Sequence, residues 1–215
     1  MKIPKIIHQI YGIFNDGKSL DDIPTFKHHT ELTKAFCKGH NIQYKMWSLK
    51  DCEELLCEYY PEYIELWQEF RYPIQRADFI RYLILHRCGG IYIDCDIYPV
   101  KPLDTLLNDD LLFVCWHNDN KKLPYNAIMG ATPNHNIFIQ ICKDILVRVE
   151  EKQSMGIYDT WVGRLVFQTT GHSMLRKHID KKYIKDVLHI QNDKKNINVI
   201  GNEPYFYDSN ISSWY

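Results

Sequence analysis

The chain has 215 residues, 45% of them hydrophobic and 25% charged, with a formal net charge of −1 at pH 7. This length predicts one globular domain spanning residues 1–215, and the absence of a basic excess argues against nucleic acid as a main partner. The sequence contains neither a signal-peptide pattern nor an 18-residue apolar run. We therefore expect no transmembrane segment. The expected location is the cytoplasm, either free or attached peripherally to a membrane.

The seven cysteines are odd in number and contain no C-x-x-C pair. Such spacing does not favour a zinc site or a disulfide framework. We interpret them as reduced and mostly core-filling.

The first part of the chain has the pattern of a β-α-β unit. Residues 3–10 form a short β-branched run that predicts a buried first strand. A helix is predicted from about Asp21-Asp22 to just before Gly39, because acidic residues favour a helix N-terminus and glycine favours its end. Residues 42–47 then alternate as a second strand does.

Two further helices are predicted before residue 71. Ser48 or Asp51 can cap a short helix that continues to Cys57. Pro61 suits the first turn of a second one. Helical spacing then predicts a buried stripe made of Tyr63, Leu66, Trp67 and Phe70.

Pro73 opens the clearest helix, and Gly89-Gly90 is its predicted stop. The apolar residues 91–93 predict a strand that leads directly into Asp94-Cys95-Asp96. The two prolines between residues 97 and 102 are expected to end regular pairing.

The rest of the chain continues to alternate between strand and helix patterns. The predicted strands are 111–115, 127–131, 187–190 and 197–200, and the predicted helices are 136–150 and 173–182. No repeat or linker marks a second domain. The predicted fold class is α/β, a sheet with helices on both sides.

Asp94 and Asp96 form a D-x-D pair at the end of a buried strand. On an extended segment their side chains would point the same way, with their roots roughly 6.5 to 7 Å apart. Mg²⁺ and Mn²⁺ commonly take one or two carboxylates and complete their shell with substrate phosphates. Acidic pairs are common in surface turns, but burying this pair without a cation would be costly. We interpret the pair as a metal site.

Asp78 and Arg81 lie three residues apart on the helix that precedes this strand. That spacing places both on one face, close enough for an ion pair that presents acceptors and donors toward the same pocket. A purely structural salt bridge is the alternative interpretation.

Three blocks together resemble a known family: IPKIIHQIYG at residues 3–12, ADFIRY at 77–82 and GGIYIDCD at 89–96. They are similar to the DXD-containing sugar-binding glycosyltransferases of family 32 type. That group is related to yeast initiating mannosyltransferases, bacterial capsular polysaccharide synthases and clostridial glucosylating toxins. Weaker similarity continues through residues 126–138 and 169–175.

The resemblance implies a GT-A fold, a Rossmann-like mixed sheet flanked by helices, and retaining transfer. It implies that Asp94 and Asp96 engage a divalent metal and the donor, while Asp78 and Arg81 bind the donor's ribose and sugar hydroxyls. These four residues are the predicted catalytic set. The predicted donor-binding set adds Cys95 and the strand residues beneath the base, which are His8, Gln9, Ile10 and Tyr11.

Two more residues are candidates for donor contact. Trp47 follows the second strand, where its ring could stack on the nucleobase or serve the core equally well. Asn126 resembles the family asparagine near the transferred sugar. Ala77 replaces the family serine before the aspartate, a departure expected to tune the site without abolishing it.

The C-terminus departs further from the family pattern. Relatives carry a histidine a few residues before a Ser-Trp pair, whereas this chain has only Asp208 ahead of Ser213-Trp214. Either this segment replaces the family's in compact form, with Asp208 as a third metal ligand, or the chain stops short of it.

The predicted function is retaining transfer of a hexose from a UDP- or GDP-sugar to a glycan or other hydroxyl acceptor, protein-linked or lipid-linked. Mn²⁺ or Mg²⁺ is the predicted cofactor, and front-side attack is the working mechanism, because no nucleophilic carboxylate is identified. A metal-dependent nucleotide-sugar hydrolase and a non-catalytic nucleotide-sugar binding module are the alternatives.

Overall fold

A computed structural model of the chain describes residues 2–14, 16–118, 121–154, 162–179, 189–192, 195–197 and 204–209. The strands are β1 (Ile6–Ile10), β2 (Gln43–Trp47), β3 (Gly90–Ile93), β4 (Ile97–Pro99), β5 (Leu111–Asn118), β6 (Lys121–Ala131), β7 (His189–Asn192), β8 (Lys195–Ile197) and β9 (Pro204–Asp208). The α-helices are α1 (Pro24–Gly39), α2 (Leu49–Tyr59), α3 (Ile64–Glu69), α4 (Pro73–Cys88), α5 (Asn136–Ser154), α6 (Val162–Thr169) and α7 (His172–His178). Short 3₁₀ helices cover Leu20–Asp22, Pro61–Tyr63 and Leu106–Asn108.

The strands form two sheets. The larger has the order β2-β1-β3-β6-β5, with β1 parallel to β2 and β3, and with β6 antiparallel to both β3 and β5. The smaller has the order β4-β9-β7-β8. Helices flank a mixed sheet, so the predicted α/β class is confirmed.

The core lies on both faces of the larger sheet. Successive residues of β3 point to opposite sides, as the period of a strand requires. Tyr92 packs with residues of α2 to α5 in one buried cluster, whereas Ile91 and Ile93 pack in a second cluster with Phe206 of β9. The smaller sheet is thereby joined to the larger one at β3.

Several boundaries follow from local signals that the sequence displays. Ser48 and Asp51 cap α2 together, since the Asp51 N–H donates to Ser48 Oγ at 3.2 Å and the Ser48 N–H donates to Asp51 Oδ2 at 3.0 Å. Gly89 ends α4 with a φ of 64°. A Cβ on Gly90 would lie 2.5 Å from the Ile6 side chain, so a residue without one is required where β3 meets β1. The predicted stripe from Tyr63 to Phe70 is buried.

The structure refines several predictions. Regular pairing after residue 97 does end at a proline, because β4 stops at Pro99. Pro99 itself still pairs with Phe206, since β4 is an edge strand, where a missing N–H is tolerated. Helix α6 and strand β9 were not predicted. The predicted helix 173–182 corresponds to α7, which ends at His178 with Ile179 as its C-cap, and residues 180–182 lie outside the described ranges. Predicted strands 187–190 and 197–200 overlap β7 and β8, and their remaining residues also lie outside the described ranges.

Cysteine chemistry agrees with the sequence interpretation. Six of the seven cysteines, at positions 37, 52, 57, 88, 95 and 142, are free thiols. Cys37, Cys52, Cys95 and Cys142 are buried. They fill the core, as predicted.

Candidate functional site

Helix α4 carries a buried ion pair toward the end of β3. Arg81 Nη2 lies 3.1 Å from Asp78 Oδ1, and both side chains are at most 6% exposed. The i, i+3 spacing therefore does produce the predicted pair. Because the pair is buried, removing one partner would leave an uncompensated charge inside the protein.

Arg81 also links helix α4 to the D-x-D motif. Its Nη1 lies 3.1 Å from Asp94 Oδ1 and donates to the Asn126 carbonyl at 2.9 Å. The guanidinium stacks over the Tyr92 ring at 4.7 Å from the ring centre. Arg81 thus connects three of the predicted site residues, Asp78, Asp94 and Asn126.

Three side chains of the site bond to Asp78. Besides Arg81, it accepts hydrogen bonds from Asn126 Nδ2 at 2.8 Å and from Thr170 Oγ1 at 3.0 Å. Burial raises the pKa of Asp78 to about 6, although the Arg81 charge and these hydrogen bonds oppose that shift. Both of its oxygens are committed to partners within the protein.

The D-x-D motif forms a turn, which corrects the expectation of an extended segment. The Ile97 N–H donates to the Asp94 carbonyl at 3.1 Å, so Cys95 and Asp96 occupy the corner positions. The Cys95 thiol donates to the Ile10 carbonyl at 3.3 Å. The spacing that an extended strand would give to Asp94 and Asp96 therefore does not apply.

Asp94 is the most accessible of the site carboxylates. Its side chain is 32% exposed, against 6% for Asp78. Tyr92 donates to Asp94 Oδ1 at 2.5 Å, and Arg81 lies against the same oxygen. Among described residues, both side-chain contacts of Asp94 use Oδ1, which leaves Oδ2 for a ligand.

The smaller sheet brings Asp208 to the same place. Asp208 pairs with Ile97 across β4 and β9, and the N–H and Oγ of Ser209 donate to the Asp96 carbonyl at 3.1 and 3.2 Å. Tyr125 donates to Asp208 Oδ2 at 3.3 Å. Burial raises the pKa of Tyr125 far above its usual range, and the charges of Asp208, Asp96 and Asp94 raise it further. The charges of these three carboxylates therefore act on one phenol.

The β1 residues predicted to bind the donor have protein partners. Both ring nitrogens of His8 are hydrogen-bonded, Nδ1 accepting from the Trp47 indole at 3.0 Å and Nε2 meeting the Gly89 carbonyl at 2.9 Å. Burial lowers the pKa of His8 to about 4, so the ring is neutral, with its proton on Nε2. Gln9 and Ile10 are buried, and Tyr11 is half-buried.

The carboxylate oxygens at this turn can bind a hard cation only if a bound substrate supplies its remaining ligands. Within the described ranges, no group of three or more His, Cys, Asp or Glu side chains is arranged to hold a metal ion. Asp94 Oδ2 and the neighbouring carboxylates supply the oxygen ligands that Mg²⁺ and Mn²⁺ prefer, and phosphate oxygens can supply the rest. Ser213 and Trp214 lie outside the described residues.

Three residues that sequence reasoning missed complete this site: Tyr92, Tyr125 and Thr170. Tyr92 stands two positions before Asp94, and strand periodicity alone could have placed both on one face. Tyr125 precedes Asn126, already a candidate. No local pattern distinguishes Thr170, which lies between α6 and α7, 92 positions from Asp78.

The sequence around this site is similar to that of known proteins. Residues 9–113 match the model of the glycosyltransferase sugar-binding region containing the DXD motif. Residues 9–113 of this chain therefore resemble that DXD glycosyltransferase family. The match includes Arg81 and the whole Asp94–Ile97 turn, and the family prediction from the three sequence blocks is confirmed.

Relatives within this family are named as sugar transferases. A mannosyl phosphorylinositol ceramide synthase of Saccharomyces cerevisiae is 34% identical over 66% of this chain and 35% of its own length. An uncharacterised glycosyltransferase of Acanthamoeba polyphaga mimivirus is 28% identical over 99% of this chain and 84% of its own. The chain thus spans about a third of the yeast relative.

Among solved structures, the PaToxG glycosyltransferase is similar with a TM-score of 0.48 and 16% identity, over 82% of this chain and 69% of that one. None of the helices among the described residues combines the length and the apolar composition that a membrane span requires.

Proposed function

We propose that this chain transfers a hexose, with retention, from a nucleoside-diphosphate sugar to a hydroxyl acceptor. The observation that carries this is the set of contacts around Arg81. One guanidinium holds Asp78, Asp94 and the Asn126 backbone at the end of β3, and Asp94 keeps one oxygen free of described contacts. The strand ends of an α/β sheet are where such folds bind ligands.

The proposed cofactor is Mn²⁺ or Mg²⁺, held by Asp94 and Asp96, with Asp208 as a further ligand. When bound, the cation supplies Lewis-acid stabilisation of the negative charge on the nucleoside-diphosphate leaving group. A cation bound at Asp94 would add positive charge beside the carboxylates whose charges act on Tyr125.

The residues of the chain contribute orientation and a fixed charge. Tyr92 and Arg81 both engage Asp94 Oδ1, so the carboxylate plane is held and Oδ2 is directed away from them. Asp78 and Asn126 hold Arg81 in turn. A preorganised charge of this kind needs little rearrangement as the transition state forms, which is how such groups accelerate reactions.

The test is donor cleavage across a panel of UDP- and GDP-sugars, with Mn²⁺ and with EDTA, by measuring released nucleoside diphosphate. Because two yeast relatives are named as a mannosyl phosphorylinositol ceramide synthase and an inositol phosphoceramide mannosyltransferase, mannose donors and an inositol phosphoceramide acceptor come first. We expect Mn²⁺-dependent release that is lost in Asp94→Ala and Asp96→Ala. The matched control is Asp104→Ala, which removes an exposed aspartate that pairs with Lys5.

Product analysis separates this proposal from the two alternatives. A hydrolase would release free sugar at the same rate with and without the acceptor, since a bound cation can also activate water. Tight Mn²⁺-dependent donor binding without any turnover would indicate a binding module. Transfer to the acceptor with the anomeric configuration kept supports the proposed function.

A further inference from the structure

The Gln9 side chain donates hydrogen bonds to both ends of the turn that carries the D-x-D motif. Its side chain is fully buried. Nε2 donates to the Asp94 carbonyl at 3.1 Å and to the Ile97 carbonyl at 3.4 Å, while Oε1 accepts from the Tyr44 hydroxyl at 2.9 Å. Because carbonyl oxygens only accept, the NH₂ group must face the turn.

These contacts hold both ends of the four-residue turn that carries the motif. Asp94 and Ile97 are its first and last residues, and the Ile97 N–H already donates to the Asp94 carbonyl. Gln9 therefore fixes the separation of the two carbonyls across which Cys95 and Asp96 bend. The Cys95 thiol adds a second link to the same strand through the Ile10 carbonyl.

Strand register explains why Gln9 can reach this turn. In the parallel pairing of β1 with β3, Ile7 lies beside Ile91 and His8 beside Tyr92. Continuing that register places Gln9 beside Ile93, immediately before the turn. Burying an amide is costly unless it is hydrogen-bonded, and an apolar residue such as the buried Ile7 would avoid that cost.

We propose that Gln9 is a positioning residue for the cation site, acting through the turn and not through contact with the donor. The inference rests on the proposed function, because it assumes that Asp94 and Asp96 engage a cation and a diphosphate. Mutating a group that orients metal ligands without touching the metal commonly lowers metal affinity about 10- to 100-fold. Tyr44 supports Gln9 from the far side.

The test compares Gln9→Met, which keeps the length and removes both donors, with Ile7→Val on the same strand. Ile7 is also fully buried, so its variant disturbs packing without touching the turn. Calorimetry with Mn²⁺ plus UDP or GDP measures binding, and hydrogen exchange over residues 91–99 measures the turn without metal. Tyr44→Phe is a milder variant, since it removes only the hydroxyl that supports Gln9.

We expect Gln9→Met to weaken Mn²⁺ binding about tenfold and to speed exchange of the Ile97 amide about fivefold. Tyr44→Phe should move both readouts in the same direction by less, and Ile7→Val should move neither beyond about twofold. The inference is overturned if Gln9→Met changes both Mn²⁺ binding and Ile97 amide exchange by less than about twofold. It is also overturned if Ile7→Val changes them as much as Gln9→Met does.

The outcomes also separate this inference from the proposed function. If the wild-type protein binds Mn²⁺ with a nucleoside diphosphate but transfers no sugar, the proposed function fails and the binding and exchange data still decide the role of Gln9. If the wild-type protein binds neither nucleotide with Mn²⁺, both ideas fail together.

Discussion

The two halves of the site differ in how completely the protein itself satisfies them. On helix α4, Asp78 is 6% exposed, and both of its oxygens have protein partners. On the turn after β3, Asp94 is 32% exposed, and its described contacts use one oxygen. We infer from this difference that the α4 half organises the site and that the turn binds the ligand. Changes in the first half should cost stability, and changes in the second should cost activity.

The largest expected effect tests the organising half. Arg81→Met should lower the free energy of unfolding by about 3–5 kcal/mol, because it leaves Asp78 buried without its counter-charge. Urea denaturation measures the change. Arg87→Met is the matched control on the same helix, where an exposed side chain stacks on Tyr59 and no comparable loss is expected. Equal losses in the two variants would contradict the division.

The pH dependence of stability gives a second test of the α4 half, through Asp78. Burial raises the pKa of Asp78 from 3.8 to about 6, so the folded protein binds this proton more tightly than the unfolded chain. The contribution of Asp78 to stability is therefore fully present below pH 4 and is lost as the pH rises through 6. A shift of this size corresponds to about 3 kcal/mol.

The measurement is urea denaturation of wild type and Asp78→Asn between pH 4 and pH 7. Asparagine does not titrate, so the stability of the wild type relative to the variant should fall across that interval and level off above it. A constant difference would show that Asp78 is ionised throughout.

The binding half should respond in the opposite way. Asp94→Asn keeps an oxygen for Tyr92 and Arg81 but removes the charge available to a cation. We expect donor cleavage to fall about 100-fold, equivalent to about 2.7 kcal/mol. Unfolding free energy should change by less than about 1 kcal/mol, because the side chain is partly solvated. If Asp94→Asn keeps its activity, or loses as much stability as Arg81→Met does, the division of the site into an organising half and a binding half is wrong.

How far the sequence predicts this molecule depends on the range of each interaction. Pro73 and Gly89 act within their own helix, and α4 was predicted with nearly its observed limits. The turn at Asp94 was predicted as extended, because part of what holds it is Gln9, 85 positions earlier. Strand β9 was missed for the same reason, since its pairing partner β4 lies more than 100 positions away. The family blocks revealed the candidate residues but not their partners.

The smallest effect concerns Thr170, the partner of Asp78 that no local pattern distinguishes. Thr170→Val removes the hydroxyl that donates to Asp78 Oδ2 and keeps the shape, so we expect a loss of about 1.5–3 kcal/mol in unfolding free energy. Thr33→Val is the matched control, because Thr33 is as deeply buried and its hydroxyl has no hydrogen-bond partner among the described residues. That variant should be neutral or stabilising, since it removes a buried polar group with nothing to satisfy it. If both variants lose the same stability, the cost belongs to packing, and Asp78 depends on Arg81 and Asn126 without help from the α6–α7 junction.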